Sequence, residues 1–198
     1  MLFDKLKKYD IVLASGSPRR QQLLAEMDIP FNVLVKPVEE SFPEKFSPTE
    51  AAAYLCRLKS LAFTENDLKK NTLVITADTV VALQNKILGK PGNSKEAAFM
   101  LRQLSGRMHK VITGVCLRLG NKTSVFTAST RVWFKKLSDE EIDYYVNRYK
   151  PFDKAGAYGI QEWIGHVAIR KIEGSYFNVM GLPTQRLYEE LLTFLEEN

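Results

Sequence analysis

The chain has 198 residues, of which 45% are hydrophobic, 26% charged and 11% aromatic, a composition that excludes a largely disordered, collagen-like or coiled-coil protein. A chain of this length buries roughly 70% of its unfolded surface, so one domain, or one domain with two lobes, stands without a disulfide or zinc staple. The net charge of +5 is spread over short basic runs such as Lys5-Lys7-Lys8 and Lys135-Lys136, against an acidic end at Glu189, Glu190, Glu196 and Glu197; it is a mild field for anions, not a nucleic-acid stripe.

Strand and helix signals alternate along the chain. Ile11–Ala14 reads as a short buried strand, and Ser17-Pro18 opens a helix to about Met27 with Ser as cap and Pro in the first turn. Phe31–Val35 reads as a strand. Ser47-Pro48-Thr49-Glu50 is a capping box that starts a helix to about Asn66. Leu73–Leu83 is a long apolar run interrupted by Thr76 and Asp78, and Asn93–Leu104 is a helix stopped by Ser105-Gly106. Val111–Leu119 and Ser124–Phe134 read as strands joined at Gly120-Asn121-Lys122, a hairpin signal. A second capping box, Ser138-Asp139-Glu140-Glu141, leads a helix to about Tyr149. Val167–Ile172 reads as a strand, and Pro183–Leu195 as an amphipathic helix with Leu187, Leu191 and Leu195 on one face. Segments 36–46, 88–93, 150–163 and 174–183 read as loops. The sum is an α/β protein with a mixed sheet.

No uncharged apolar run approaches the ~20 residues of a membrane span. The apolar stretch Ile11–Ala14 is too short for a secretory leader, so a cytoplasmic protein with no membrane partner is expected. Cys56 and Cys116 lie far apart and outside any CxxC pair, and with His109 and His166 they lack zinc spacing; both cysteines are expected to be buried and reduced.

Several residues stand out against this background. Ser15-Gly16-Ser17-Pro18-Arg19-Arg20 joins a strand end to a helix start, where backbone N–H groups suit a phosphate. Two arginines in a first turn oppose the helix dipole unless an anion sits there; the alternative is two solvated arginines. Asp78 interrupts a β-forming run, as a metal ligand, as a general base, or as a turn between two strands. Lys59 sits among Leu55, Cys56, Ala62 and Phe63 and either snorkels or holds an anion. Glu39-Glu40 is a solvated pair or a source of metal ligands. Lys90, in the turn Leu88-Gly89-Lys90-Pro91, is a phosphate contact or a surface lysine. His109 reads as structural, and 174–183 either lines a pocket or turns the chain.

Taken in order, these segments resemble the Maf family of nucleoside triphosphate pyrophosphatases. Ala14–Arg20 looks like its opening signature, Ala77-Asp78-Thr79-Val80-Val81 like its second motif and Gly89-Lys90-Pro91 like its third. Leu104–His109 with Val111-Ile112-Thr113-Gly114-Val115 is similar to the fourth, while Asp153–Gln161 and Gly174–Pro183 look like the last two. The resemblance runs from residue 14 to 183 and implies a single Maf-like domain over 1–198. It implies an elongated mixed sheet flanked by helices, with two lobes and a cleft as in ITPase-like folds, and often a homodimer. It also implies metal-dependent cleavage of a nucleoside triphosphate to monophosphate and pyrophosphate, and its Asp-Thr and Ala-Tyr-Gly-Ile-Gln segments resemble the branch acting on dTTP and UTP.

By the same resemblance Asp78 takes the proton-acceptor place, with Lys59 and Lys90 beside it in catalysis. Arg19, Thr79 and Gln161 take specificity positions, and Ser15, Ser17 and Arg20 join them in holding substrate. Asp78 and Glu40 would hold a divalent cation, Mg²⁺ or Mn²⁺. Gln161 offers an amide donor and acceptor complementary to the N3–H and a carbonyl of thymine or uracil. One departure from the family pattern is Glu162-Trp163 after Gln161, where Gly is expected, which would make the pocket rim bulkier or more acidic. Rival readings are a pyrophosphatase for another nucleotide such as 7-methyl-GTP, and a non-catalytic nucleotide-binding regulator of cell division.

Overall fold

In a computed structural model, which describes residues 1–196, the chain is a seven-stranded mixed sheet flanked by helices. Glu197, in the acidic end read above, lies outside the described residues. The elements in chain order are α1 (Leu2–Leu6), β1 (Asp10–Leu13), α2 (Pro18–Ala25), β2 (Asn32–Val33), α3 (Pro48–Leu61), β3 (Thr72–Leu83) and β4 (Lys86–Leu88). They continue with α4 (Ser94–Leu104), β5 (Met108–Leu119), β6 (Lys122–Phe134), α5 (Asp139–Tyr149), α6 (Trp163–Ala168), β7 (Ile169–Glu173), α7 (Tyr176–Met180) and α8 (Thr184–Glu196). The strand order is β2-β1-β3-β5-β6-β7, with β4 paired to β3. β1 runs parallel to β2 and β3, while β4 is antiparallel to β3 and β7 to β6. None of the described helices is long and apolar enough to cross a membrane.

The chain divides into two compact units. One comprises Met1–Asp78, Thr113–Ala128 and the stretch from Gly181 on; the other comprises Thr79–Ile112 and Ser129–Met180.

In the first unit, β1 and β3 align Leu13 with Ile75 and bury Ile11–Leu13 and Leu73–Ile75. Helix α3 begins at the expected box: Ser47 accepts from the Glu50 N–H, and Glu50 accepts in return from the Ser47 N–H. Its buried face, Ala51, Ala52, Leu55 and Cys56, lies on the sheet. Gly114 makes that approach feasible, because a Cβ there would come within 2.3 Å of the Ala52 carbonyl oxygen. One turn further along α3, Thr76 Oγ1 donates to the Cys56 carbonyl at 2.6 Å. α1 packs on α8, with Lys5 and Glu196 paired at 2.9 Å.

In the second unit α4 packs against α5 and against the short 3₁₀ turn Ala155–Ala157. α5 begins at the second capping box, Ser138 with Glu141, and buries Ile142, Tyr145 and Val146.

Four expectations need correction. Val167 and Ala168 end helix α6 and do not open the strand expected over Val167–Ile172, and β7 begins only at Ile169. The α6 backbone turns directly over Ile160: a Cβ on Gly165 would lie 1.7 Å from the Ile160 carbonyl oxygen, so packing and not β propensity decides this segment. The helix expected to reach Asn66 ends at Leu61, followed by a 3₁₀ turn at Glu65–Asp67 that Thr64 and Asp67 close. The strand expected over Phe31–Val35 is only Asn32–Val33, and the loop 174–183 contains α7.

Candidate active site

In the first unit, Asp78 closes the unbroken buried run Thr72–Asp78 of β3. The strand's period of two puts Thr76 and Asp78 on one face. Thr76 meets α3 at Cys56, and Asp78 meets it three residues later, at Lys59. Lys59 Nζ lies 2.5 Å from Asp78 Oδ1 and 2.9 Å from Glu40 Oε1, with side-chain exposures of 17% for the lysine and 9% for the aspartate. Lys59 therefore neither snorkels nor stands alone, and Asp78 lies within a continuous strand, not in a turn. Of the acidic pair, Glu40 is the member joined to this network.

Arg20 completes the group. Its Nε donates to the Gly181 carbonyl at 2.9 Å and its Nη1 to Ser15 Oγ at 3.4 Å. Burial pushes the guanidinium's pKa down, Asp78 and Glu40 pull it back up, and the like charge of Arg19 lowers it. Ser15 Oγ also accepts from the Ser17 N–H at 3.3 Å, and Gln21 Nε2 donates to the Ser15 carbonyl at 3.2 Å. These contacts fix the turn between β1 and α2. Ser17 caps α2 by its extended backbone, with no cap bond from its own side chain. Three cations, Arg19, Arg20 and Lys59, thus share a field with two carboxylates, Asp78 and Glu40.

Asp78 and Glu40 are hard oxygen donors, and no group of three or more His, Cys, Asp or Glu suited to a metal occurs among the described residues. Such a pair fits a cation like Mg²⁺, which takes its remaining oxygens from phosphate and water, better than a protein-caged ion.

In the second unit Thr79 continues β3 and is half-buried, while Lys90 is exposed in the turn after β4. The Gly156 N–H donates to the Gly89 carbonyl at 3.0 Å, bringing the segment 153–161 to the Gly89-Lys90-Pro91 turn. Gly156 has φ +67°, and a Cβ there would sit 2.9 Å from Val81 Cγ1. Gln161 lies in the turn closed by the Glu162 N–H on the Gly159 carbonyl at 3.1 Å, and its Oε1 is buried with no hydrogen-bond partner among the described residues.

His109 is structural. Its Nε2 meets the Tyr158 hydroxyl at 2.8 Å, its ring stands edge-on to Phe134 and Tyr158, and burial pushes its pKa down to about 3. Asn178, in the last motif, is fully buried, and its Nδ2 donates to the Val111 carbonyl and to Thr130 Oγ1. Cys56 and Cys116 are both buried and free.

The sequence reading missed Tyr145 and Lys154. Lys154 is 8% exposed, and its Nζ contacts Asp153 at 2.7 Å and Glu162 at 3.1 Å. No local signal marks either residue: Glu162, which both contact, lies 8 and 17 residues away. Glu162, read above as an acidic addition to a pocket rim, is turned to Lys154 and to the Tyr145 hydroxyl.

A dTTP/UTP pyrophosphatase of Porphyromonas gingivalis is 52% identical over 100% of both chains. Another protein of that name, from Flavobacterium johnsoniae, is 51% identical over 98% of this chain and 100% of its own. Among solved structures, a HAM1 protein from Coxiella burnetii shares the fold with a TM-score of 0.53 at 12% identity, covering 96% of this chain and 100% of that one. The model of the Maf-like protein family matches residues 10–194, and the chain belongs to that family.

Proposed function

We propose that the protein hydrolyses dTTP and UTP to the nucleoside monophosphate and pyrophosphate. The observation that carries the reading is the Asp78–Lys59 contact of 2.5 Å, a carboxylate fixed on a buried strand by a lysine from the facing helix. The substrate class comes from full-length relatives of that name at 51–52% identity.

Water attacks the α-phosphorus, a new O–P bond forms, the bond from the α-phosphorus to the bridging oxygen breaks, and pyrophosphate leaves. Asp78 takes the water's proton: Lys59 holds Oδ1, which orients Oδ2 toward the proton. A triphosphate carries about four negative charges near neutral pH, and Arg19, Arg20, Lys59 and Lys90, with the turn at Ser15 and Ser17, supply the opposing charge and donors. Asp78 and Glu40 would hold a divalent cation, which supplies charge neutralisation at the phosphoryl oxygens when bound. Thr79 and Gln161 bear on base choice, the buried Gln161 Oε1 offering an acceptor to the N3–H of thymine or uracil. We read residues 1–198 as one Maf-like domain acting in the cytoplasm, with a second copy of the chain as its partner in a dimer.

The test is turnover of dTTP, UTP, CTP, ITP and 7-methyl-GTP with Mg²⁺ and with Mn²⁺, with products identified. Monophosphate and intact pyrophosphate from dTTP and UTP are expected. Diphosphate and orthophosphate as first products would sink the reading.

A further inference from the structure

Gln161 is presented by a four-residue turn, Gly159 to Glu162. The turn's two ends are joined by a side chain from a different element. Tyr145, fully buried on α5, accepts from the Gly159 N–H at 3.0 Å through its hydroxyl and donates from the same hydroxyl to Glu162 Oε2. Burial and the bond to Glu162 push the phenol's pKa well above its ordinary value, so it keeps the proton it donates. The second carboxylate oxygen of Glu162 pairs with Lys154 Nζ at 3.1 Å, which holds that carboxylate in place. Glu162 also starts α6: its carbonyl accepts from the Gly165 N–H at 2.8 Å. Within the turn, Gln161 Nε2 lies over Gly159, 3.1 Å from where a Cβ would be, so the amide folds back on the clamped residue.

We infer that Tyr145 is a positioning residue for the Gln161 amide, its hydroxyl clamping both ends of the turn that presents it, with Glu162 as the second jaw. The inference rests on the proposed role of Gln161 in reading the base. Tyr145 does not touch the reacting atoms; it acts through Gln161. Glu162 is then part of the specificity apparatus without facing the substrate. An amide whose acceptor is buried and unsatisfied discriminates only if it is held still, because a rotated amide presents the opposite hydrogen-bonding pattern.

The test is a double-mutant cycle on the full chain: wild type, Tyr145→Phe, Gln161→Ala and the pair, each with kcat and KM for dTTP, UTP, CTP and ITP, nucleotide Kd and Tm. Tyr145→Phe keeps the ring and removes the clamp. It is expected to lower kcat/KM for the preferred nucleotides about three- to tenfold, the range of one hydrogen bond, mainly through KM and Kd, with CTP and ITP changed less than twofold. In the Gln161→Ala background the same change is expected to add nothing. Glu162→Ala, which removes the other jaw, is expected to narrow the preference in the same direction. An equal loss on every nucleotide, or the same loss with and without Gln161, overturns the inference and leaves Tyr145 a core residue. If the wild type prefers a nucleotide other than dTTP or UTP, the substrate reading falls, and the cycle on the preferred nucleotide still decides the clamp. If Gln161→Ala leaves every ratio and Kd unchanged, Gln161 does not read the base and the clamp falls with it.

Discussion

Around Asp78 the first unit uses ionic contacts, with Lys59 at 2.5 Å, Glu40 sharing that lysine, and Arg20 in the same field. Around Gln161 the second unit uses a closed turn, a phenol and a left-handed glycine. In the first region each charge has an alternative partner, so single changes should separate chemistry from stability. In the second Tyr145 and Lys154 both converge on Glu162 and through it on one turn, so single changes should move shape and stability together.

The largest expected effect tests the first half of that contrast. Asp78→Asn keeps the shape and removes the basicity; kcat should fall by about 10²–10⁴-fold. The fold should survive, because Lys59 retains Glu40. Lys59→Met is the harsher change for stability: it leaves a carboxylate of 9% exposure without its lysine and should cost about 3 kcal/mol. Adding Asp78→Asn to Lys59→Met should restore part of that loss. Denaturant titrations and turnover on the same four preparations would check it. Equal destabilisation by both single variants would break the comparison.

The pairing of Lys59 with Asp78 was only half visible beforehand. Apolar neighbours marked the lysine as odd and the strand marked the aspartate, but what joins them is the register between α3 and β3, fixed by Thr76 on Cys56, with α3 held on the neighbouring β5 at Gly114, through contacts far apart in sequence. The capping boxes at Ser47 and Ser138 were readable because their chemistry spans four consecutive residues. Helices α1, α6 and α7 were not, because elements of five or six residues carry too little periodicity to show. Lys154, Glu162 and Tyr145 belong to the same class as the α3–β3 pairing: nothing local in sequence announces a partner 8 or 17 residues away.

Next in size is a pH effect in the second unit. His109 is fully buried, and its pKa is pushed down to about 3 from the usual 6.5. Above pH 6.5 both folded and unfolded chains carry it neutral, and it has no effect on the pH slope. Between 6.5 and about 3 the unfolded chain takes up a proton that the folded one refuses, so stability falls with pH by up to about 1.4 kcal/mol per unit. His109→Phe should lower stability at pH 7 by stranding the Tyr158 hydroxyl, yet flatten the slope between pH 4 and 6.5 relative to wild type. Parallel slopes would show that His109 protonates in the folded state.

Gly156→Ala probes the backbone of the same region. With φ at +67° and Val81 Cγ1 2.9 Å from the new Cβ, alanine meets both conformational strain and a clash. A loss of about 1–2 kcal/mol follows from the left-handed backbone alone. Because the Gly156 N–H holds the Gly89 carbonyl, the Lys90 turn should loosen as well, and KM for nucleotide should rise in step with the fall in Tm. A lower Tm with unchanged KM would detach the turn from substrate binding.

The smallest effect compares the two capping boxes. Ser47 starts the helix that carries Lys59, and Ser138 the one that carries Tyr145. Replacing either by Ala removes an acceptor for one N–H and should cost about 1 kcal/mol. The consequences for activity should differ. Lys59 lies about three turns beyond Ser47, and α3 is pinned between them by the close contact at Gly114 and near Lys59 by Thr76, so fraying at the start should not reach it. Tyr145 lies two turns beyond Ser138 and is held at its tip by the Gly159 N–H and Glu162, contacts that themselves depend on where α5 sits. Ser47→Ala should therefore lower the unfolding midpoint and leave kcat and nucleotide preference unchanged, while Ser138→Ala should lower it equally and narrow the preference slightly. Equal behaviour of the two variants in the kinetic assay would show that the ionic and the hydrogen-bonded regions are buffered alike.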